Sequence, residues 1–456
     1  MGAIDILKYY LRMAREQWLD RDSFDTLAKQ RLNTAIRSAR QTSHYRNLLD
    51  SCGNHFSSLP ITTKDMIRKD PASFLPYGAS KENLYEVRTS GSTGTPLTIL
   101  IDRDTNDYRV AKEYFIECLH GRSPFELFAH FTAIPDETHV LLTRSGLFRK
   151  LPLSPFVEDE KNLAALRESG ARMLRSFPSA LTTMARLNLD NPVKLKAIIS
   201  TGEMLEAQSR KLIEDSFSCP VLDIYGLMEF RTVAYQCSEE KRFHVDCSSF
   251  ILEIVDKHGI PKKNGRGEIV VTSLHSTPMP FLRYATGDIG RWGKECSCGR
   301  GSPVIESIEG RKTDVFILPS GRPRPFGALY MALNRIMVKS FQVIQERRDL
   351  FVFKYVPLGK DLPASDKQAI EKKILDACLG EKITVEFEQV DSIARTGRGK
   401  HRYVISKVGN AHASESESSG NPSRWKKSSE TEGRDLNWLA SKVSRRRSIL
   451  DGGEPS

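Results

Sequence analysis

Apolar residues recur at helical spacing over residues 4–50. Ile4, Leu7, Tyr10 and Leu11 share one face, and Phe24, Leu27, Leu32 and Ile36 share another that runs on to Tyr45. The pattern predicts two helices there, then a short helix after Leu59-Pro60 with Thr62 or Thr63 as its N-cap. Two short strands, 84–88 and 97–101, flank the polar stretch Thr89-Ser90-Gly91-Ser92-Thr93-Gly94-Thr95-Pro96. A charged helix is expected over 103–119, strand character over 129–143, and a helix over 158–175 with Leu163, Leu166, Ala171 and Leu174 on its apolar side. Another helix opens at Phe177-Pro178 and runs through Arg186. The apolar run 195–200, a helix over 205–217 and the run Val221–Tyr225 then alternate strand, helix, strand. That alternation builds a mostly parallel sheet, with ligand loops at the carboxyl ends of its strands. Segments 248–256, 268–273 and 303–308 add strands.

Beyond a boundary near residue 309, strands near 313–318, 341–345, 350–356 and 383–389 surround a helix over 365–378, which gives a compact α+β module. From Gly409 the chain is rich in Ser, Glu, Gly and Lys and has too few apolar residues to fold alone. The piece from Asn437 to Leu450 reads either as part of that solvated tail or as a short basic helix for a partner. The expectation is therefore an α/β protein of a large domain (1–308), a small α+β C-terminal domain (309–408) and a disordered polar tail (409–456).

Composition narrows the function classes. The chain has 456 residues, 39% hydrophobic and 27% charged, which suits a soluble globular protein. It contains no apolar run long enough to span a membrane, and its start lacks the features of a secretory signal, so a cytoplasmic location is expected. The net charge is +11, but no nucleic-acid motif organises it. A positive field suits anionic small molecules equally well. The eight cysteines form no dense framework and are expected to be thiols.

Candidate chemistry sits in the loops. In 89–96, glycines let backbone N–H groups approach an anion and the hydroxyls add donors, although an ordinary hairpin turn has the same composition. No Lys follows Gly94, so this is not a Walker A loop. Gly202-Glu203-Met204 reads as a strand-to-helix turn, Tyr225 as a core aromatic or a stacking platform, and Asp288 as a turn residue or a diol acceptor. Lys400 follows Arg395-Thr396-Gly397-Arg398-Gly399, a basic loop that is either surface or functional. Cys237, His244, Cys296 and Cys298 supply three sulfurs and one nitrogen, a set that suits tetrahedral Zn²⁺, with Cys247 as a competing ligand.

Six of these stations occur in one order: Thr89–Pro96, Ser200–Met204, Asp223–Glu229, Arg283–Asp288, Gly310–Asp314 and Arg395–Lys400. In that order the chain resembles the adenylate-forming, acyl-activating enzymes, in the branch of phenylacetate–coenzyme A ligases and capsular-polysaccharide-associated relatives. The resemblance implies that an acid, aromatic in the nearest branch, is activated with ATP and Mg²⁺ as an acyl-adenylate and passed to coenzyme A. An amine or hydroxyl acceptor, or a non-catalytic nucleotide- or partner-binding member, are the alternatives. It implies roles as well. Ser90, Gly91, Ser92, Thr93 and Gly94 would hold phosphates, although Thr95 stands where relatives often carry Lys. Gly202, Glu203 and Met204 would lie against the adenine and Tyr225 would stack on it, with Gly226 also in the nucleotide site, Asp288 at the ribose diol and Arg311 at ribose or phosphate. Glu229 would bind Mg²⁺, with Leu227-Met228 where a hydroxyl residue often precedes the Glu. Asp314 would lie at the interdomain hinge and Lys400 would be the catalytic lysine. Relatives carry a similar Cys/His set, which implies a structural zinc. Nucleic acid is not expected as a partner, and oligomeric state, homodimer included, is left open.

Overall fold

A computed structural model of the chain describes residues 2–52, 56–79, 81–88, 97–132, 140–188, 191–275, 277–311, 315–333, 336, 338–359, 361–396 and 400–408. The chain opens with α1 (Ala3–Glu16) and α2 (Arg21–Ala39), and the Asp20 carboxylate caps α2 by accepting from the Ser23 N–H. Thr42 caps α3 (Ser43–Ser51) through the Tyr45 N–H. The apolar spacing predicted two helices here and the structure makes three, because the Thr42 cap restarts the chain. Thr63 caps α4 (Lys64–Lys69). Strands β1 (Tyr85–Arg88) and β2 (Thr98–Ile101) pair antiparallel.

Helix α5 (Arg103–Leu119), capped by Asp102, packs with α1 on one face of the main sheet, where Tyr108, Phe115 and Ile116 meet Phe128, Met173, Ala197 and Ile199. Along the chain follow β3 (Phe128–Phe131), α6 (Val140–Arg144), β4 (Lys150–Leu153), α7 (Asp159–Ser169) and β5 (Met173–Ser176). Then come α8 (Pro178–Leu187), β6 (Ala197–Thr201), α9 (Ala207–Phe217) and β7 (Val221–Leu227). Helices α7 to α9 cover the opposite face, on Ala129, Leu174, Ile198 and Val221. The helix expected over 158–175 stops at Ser169, because Gly170 takes a left-handed conformation (φ 71°) and the chain turns directly into β5. The stretch 129–143 yields only β3, to Phe131, and α6.

The sheet is completed by β8 (Arg231–Gln236), β9 (Phe243–Val245), β10 (Phe250–Val255), β11 (Arg266–Ser273), β12 (Tyr284–Trp292) and β13 (Val304–Arg311). Among the described residues it has eleven strands in the order β10-β11-β12-β13-β9-β8-β7-β6-β5-β3-β4. Strands β3 to β7 are parallel, as the alternation predicts. From β8 onward the pairing is antiparallel, because short turns rather than crossover helices join the strands.

The C-terminal part forms its own core. Hairpin β14 (Val315–Ile317)–β15 (Pro323–Pro325) leads into α10 (Phe326–Leu333). Strands β16 (Val338–Arg347), β17 (Leu350–Pro357), β18 (Thr384–Gln389) and β19 (Val404–Ser406) line up as β18-β17-β16-β19, with α11 (Ala364–Ala377) packed on them. Phe316, Phe351, Phe353, Ile370 and Ile374 are at its centre. No described helix is long and apolar enough to cross a membrane. The polar tail 409–456, including Asn437–Leu450, lies outside the described residues.

Candidate active site

The parallel strands place Thr201 and Ile224 side by side, so the turns after β6 and after β7 open at one end of the sheet. Gly202 follows Thr201 with φ 82°, and a Cβ built there would lie 3.1 Å from both Lys400 Cε and Phe177 Cε1. The glycine is required twice over, by its backbone and by the lysine stem lying against it. Glu203 accepts three hydrogen bonds: from the Ser179 N–H (3.0 Å), the Ser179 hydroxyl (3.1 Å) and the His401 N–H (2.8 Å). Burial raises its carboxyl pKa, against the lowering pull of these donors and of Lys400. Glu203 therefore ties the Lys400 loop to the N-terminus of α8. Met204, expected at the adenine, is exposed.

The Tyr225 hydroxyl donates to Asp288 Oδ2 at 2.7 Å, and Asp288 N donates to the Thr286 hydroxyl at 3.1 Å. Burial, then the Asp288 charge, push the Tyr225 phenol well above its ordinary value. Gly226 lies so close to the next strand that a Cβ there would come within 2.5 Å of the Arg231 carbonyl. Glu229 is buried in the β7–β8 turn, accepts from the Tyr284 hydroxyl at 2.7 Å and is 3.5 Å from Lys64 Nζ. The Tyr284 segment is itself fixed. Thr62 bridges to the backbone on both sides of Tyr284, and buried Arg283 donates to Glu253, Leu59 and Gly259. Arg311 pairs by backbone opposite Asp288.

The C-terminal domain supplies the fourth side. Thr396 and Lys400 close a tight loop on each other through two hydrogen bonds, Lys400 N to the Thr396 hydroxyl and Thr396 N to Lys400 O. The neighbouring Arg395 pairs with Asp159 at 3.0 Å, Lys339 with Glu160 at 2.6 Å, and Arg186 donates to the Val338 carbonyl. Burial raises Asp159 to about 6 in spite of Arg395. Burial also pushes His401 down to about 4, against its hydrogen bond to the Phe341 carbonyl. A histidine held below its ordinary value contributes stability that is whole above about pH 6.5 and is lost as pH falls through its folded value. Between pH 6.5 and 4 His401 is thus expected to pull the thermal midpoint down, against the opposite pull of Asp159, and His401→Gln to flatten the resulting fall. An equally steep fall in the variant would exclude His401 as a source.

The structure brings Gly202, Glu203, Tyr225, Gly226, Glu229, Asp288 and Lys400 to this one end of the sheet. Ser90, Gly91, Ser92, Thr93, Gly94 and Asp314 lie outside the described residues, as does the Arg311 side chain. Sequence reading missed Lys64, Ser179, Tyr284 and His401. Tyr284 and His401 were within reach, since each adjoins a residue already singled out. Lys64 lies in the short helix after Thr63, where no local signal marks it.

A second cluster lies on the antiparallel half of the sheet. Cys237, His244, Cys296 and Cys298 bring their ligand atoms within 4.8 Å of one another. The sulfurs of Cys237 and Cys296 are 3.7 Å apart, and Cys298 Sγ is 3.3 Å from His244 Nε2. Two thiolates each about 2.3 Å from one tetrahedral zinc stand about 3.8 Å apart, so the donor set fits. His244 Nδ1 meets the Ser302 hydroxyl at 2.9 Å, which turns Nε2 toward the sulfurs. Cys247 stands apart and packs against the hydrophobic core, where burial raises its thiol to about 12.

Residues 327–407 match the family described as the CapK C-terminal domain. Protein CapK of Staphylococcus aureus is 25% identical over 385 residues, which cover 78% of this chain and 81% of that protein. A phenylacetate-coenzyme A ligase of Thermus thermophilus is 26% identical over 365 residues, 72% of this chain and 80% of the ligase. Among solved structures, a 2-hydroxyisobutyryl-CoA ligase in the postadenylation state, in complex with 2-HIB-AMP, matches with a TM-score of 0.70 at 19% identity, over 88% of this chain and 94% of the ligase. In its thioesterification state the same ligase matches with a TM-score of 0.59. Over most of its length the chain is thus similar to CapK and the phenylacetate-coenzyme A ligases, with residues 327–407 matching the CapK C-terminal domain, and it shares the fold of the 2-hydroxyisobutyryl-CoA ligase.

Proposed function

We propose that this protein is an AMP-forming ligase that activates a carboxylic acid with ATP as an acyl-adenylate and transfers the acyl group to coenzyme A. The observation that carries the reading is the position of Lys400. A lysine of the small domain lies against Gly202, at the ligand end of the parallel strands. There its ammonium can bridge the acid's carboxylate and the α-phosphate as charge develops. The acid oxygen attacks the α-phosphorus and pyrophosphate leaves. Positioning and charge stabilisation supply most of the help such a step needs.

In this reading Gly202, Glu203 and Met204 flank the adenine and Tyr225 stacks on it. Asp288, oriented by Tyr225, accepts from the ribose hydroxyls, with Arg311 beside it. The loop 89–96, with Ser90 to Gly94, holds the outer phosphates. Asp314 is the hinge about which the small domain turns for the second half-reaction. Glu229, held by Tyr284 and near Lys64, would hold Mg²⁺, which neutralises phosphate charge when bound. The four-ligand Cys/His set would be a structural zinc site, since no position is left for substrate. Metal analysis of the purified chain should then give about one equivalent of zinc, and less than about 0.2 equivalents in folded protein would reject the site.

The test is AMP release over a panel of acids with and without coenzyme A. Turnover that requires both supports the ligase. Acid-dependent pyrophosphate release without turnover on coenzyme A would move the acceptor to an amine or hydroxyl.

A further inference from the structure

The ligase reading leaves one direction open for the body of the acid. Its carboxyl has to lie between Lys400, which packs on Gly202, and Glu229. The Tyr225–Asp288 pair takes the nucleotide side. What remains is the sheet face beneath α5, and that wall is charged where it meets the site.

Arg109 on α5 donates to the Met228 carbonyl, which ties the helix to the turn carrying Glu229. One helical turn along, Glu113 pairs with three cations: Arg231 at 3.2 Å, Arg175 at 3.4 Å and Lys150 at 3.5 Å. Arg231 comes two residues after Glu229, is held at φ 61°, and its carbonyl abuts Gly226. Arg175 lies on β5, beside the strand that ends at Thr201. Deeper in, Arg122 pairs with Glu117.

Side-chain exposure rises along this cluster toward Glu229, from 0% at Arg122 and 8% at Lys150 to 19% at Arg175 and 41% at Arg231. The deep end is a closed ion-pair network. At the near end Arg175 is shared between Glu113 and Glu117, and Arg231 stands half exposed. A network that only clamped α5 to the sheet would be served by the deep pairs. It would not need a half-open arginine in a left-handed conformation beside the metal-site turn. An uncharged substrate end at this wall would strip water from cations and return no hydrogen bond, which is costly.

We infer that this wall reads a second carboxylate at the far end of the substrate, so that the acid activated is a dicarboxylic acid, bound there by Arg231 with Arg175 behind it. An aromatic ring fits provided that it carries the second carboxylate. The inference rests on the ligase reading.

The experiment measures pyrophosphate release from ATP with matched pairs, pentanoate against glutarate and phenylacetate against 4-carboxyphenylacetate. The dicarboxylate of a pair is expected to have a kcat/KM at least about 10²-fold higher, as for sites whose buried polar groups need a partner. In Arg231→Leu that ratio should collapse toward one through the KM of the dicarboxylate, and Arg231→Lys should restore part of it. If Arg231→Leu does not fold, the wild-type ratio and that of Arg175→Gln decide. Preference for the monocarboxylates, or a ratio unmoved by the variants, overturns the inference and leaves the ligase standing. No release with any acid while ATP binds overturns the ligase reading, and this inference with it.

Discussion

Lys400→Ala is expected to slow acid-dependent pyrophosphate release by about 10²–10³, the usual loss when one preorganised electrostatic group is removed from a reacting centre. The backbone of the loop should hold, because the hydrogen bonds that fix it come from main-chain atoms and a hydroxyl. Thr396 and Lys400 bond through a hydroxyl and main-chain atoms, and His401 N reaches Glu203 independently. Nucleotide affinity and thermal midpoint should therefore move little while the single-turnover rate collapses. Transfer from a supplied acyl-adenylate to coenzyme A, which expels AMP, should be affected far less, since in the proposed second half-reaction the small domain has turned and carried Lys400 away from the α-phosphate. Near-normal pyrophosphate release in the variant would remove Lys400 from the chemistry.

Gly202→Val should produce a loss of similar size by a different route. A side chain there adopts φ 82°, which costs an L-residue about 1–2 kcal/mol. It also meets Lys400 Cε and Phe177 Cε1, each 3.1 Å from the Cβ position and so already in tight contact. Phe177 precedes α8 and cannot easily yield. The flexible lysine is the partner that gives way, and its ammonium then leaves the site. Pyrophosphate release should fall about 10²-fold or more, and adding Lys400→Ala to Gly202→Val should cost little further. Additive losses would show that the two residues act separately.

Much of the framework was legible in the sequence because it depends on local signals. The charged helix at 103–119 appears as α5 with those bounds, since Asp102 supplies the cap and the pattern is long. The turn at Gly202, with β6 before it and α9 after it, was legible for the same reason. What failed depended on a single residue or on distant partners. Gly170 ended α7 inside a stretch whose apolar spacing continued through Leu174. Thr42 split one expected helix into two.

The site shows the same division. Tyr225, Glu229 and Asp288 stand out by residue type in glycine-rich turns, but their orienting partners do not. Lys64 reaches Glu229 from an exposed-looking helix. Ser179 and His401 meet at Glu203, although His401 is 198 residues away from it along the chain. The charge of the α5 wall was equally hidden. Glu113, Arg175 and Arg231 come from a helix and two strands, and no local period marks residues that face one another only after the sheet has formed.

The most direct test is acid-dependent pyrophosphate release from ATP, measured in one turnover on the intact chain and on Lys400→Ala. Release that requires the acid and falls about 10²–10³-fold in the variant is the predicted result. ATP binding with no acid-dependent release from the wild-type chain, over mono- and dicarboxylic acids alike, would contradict the assignment and leave a nucleotide-binding protein.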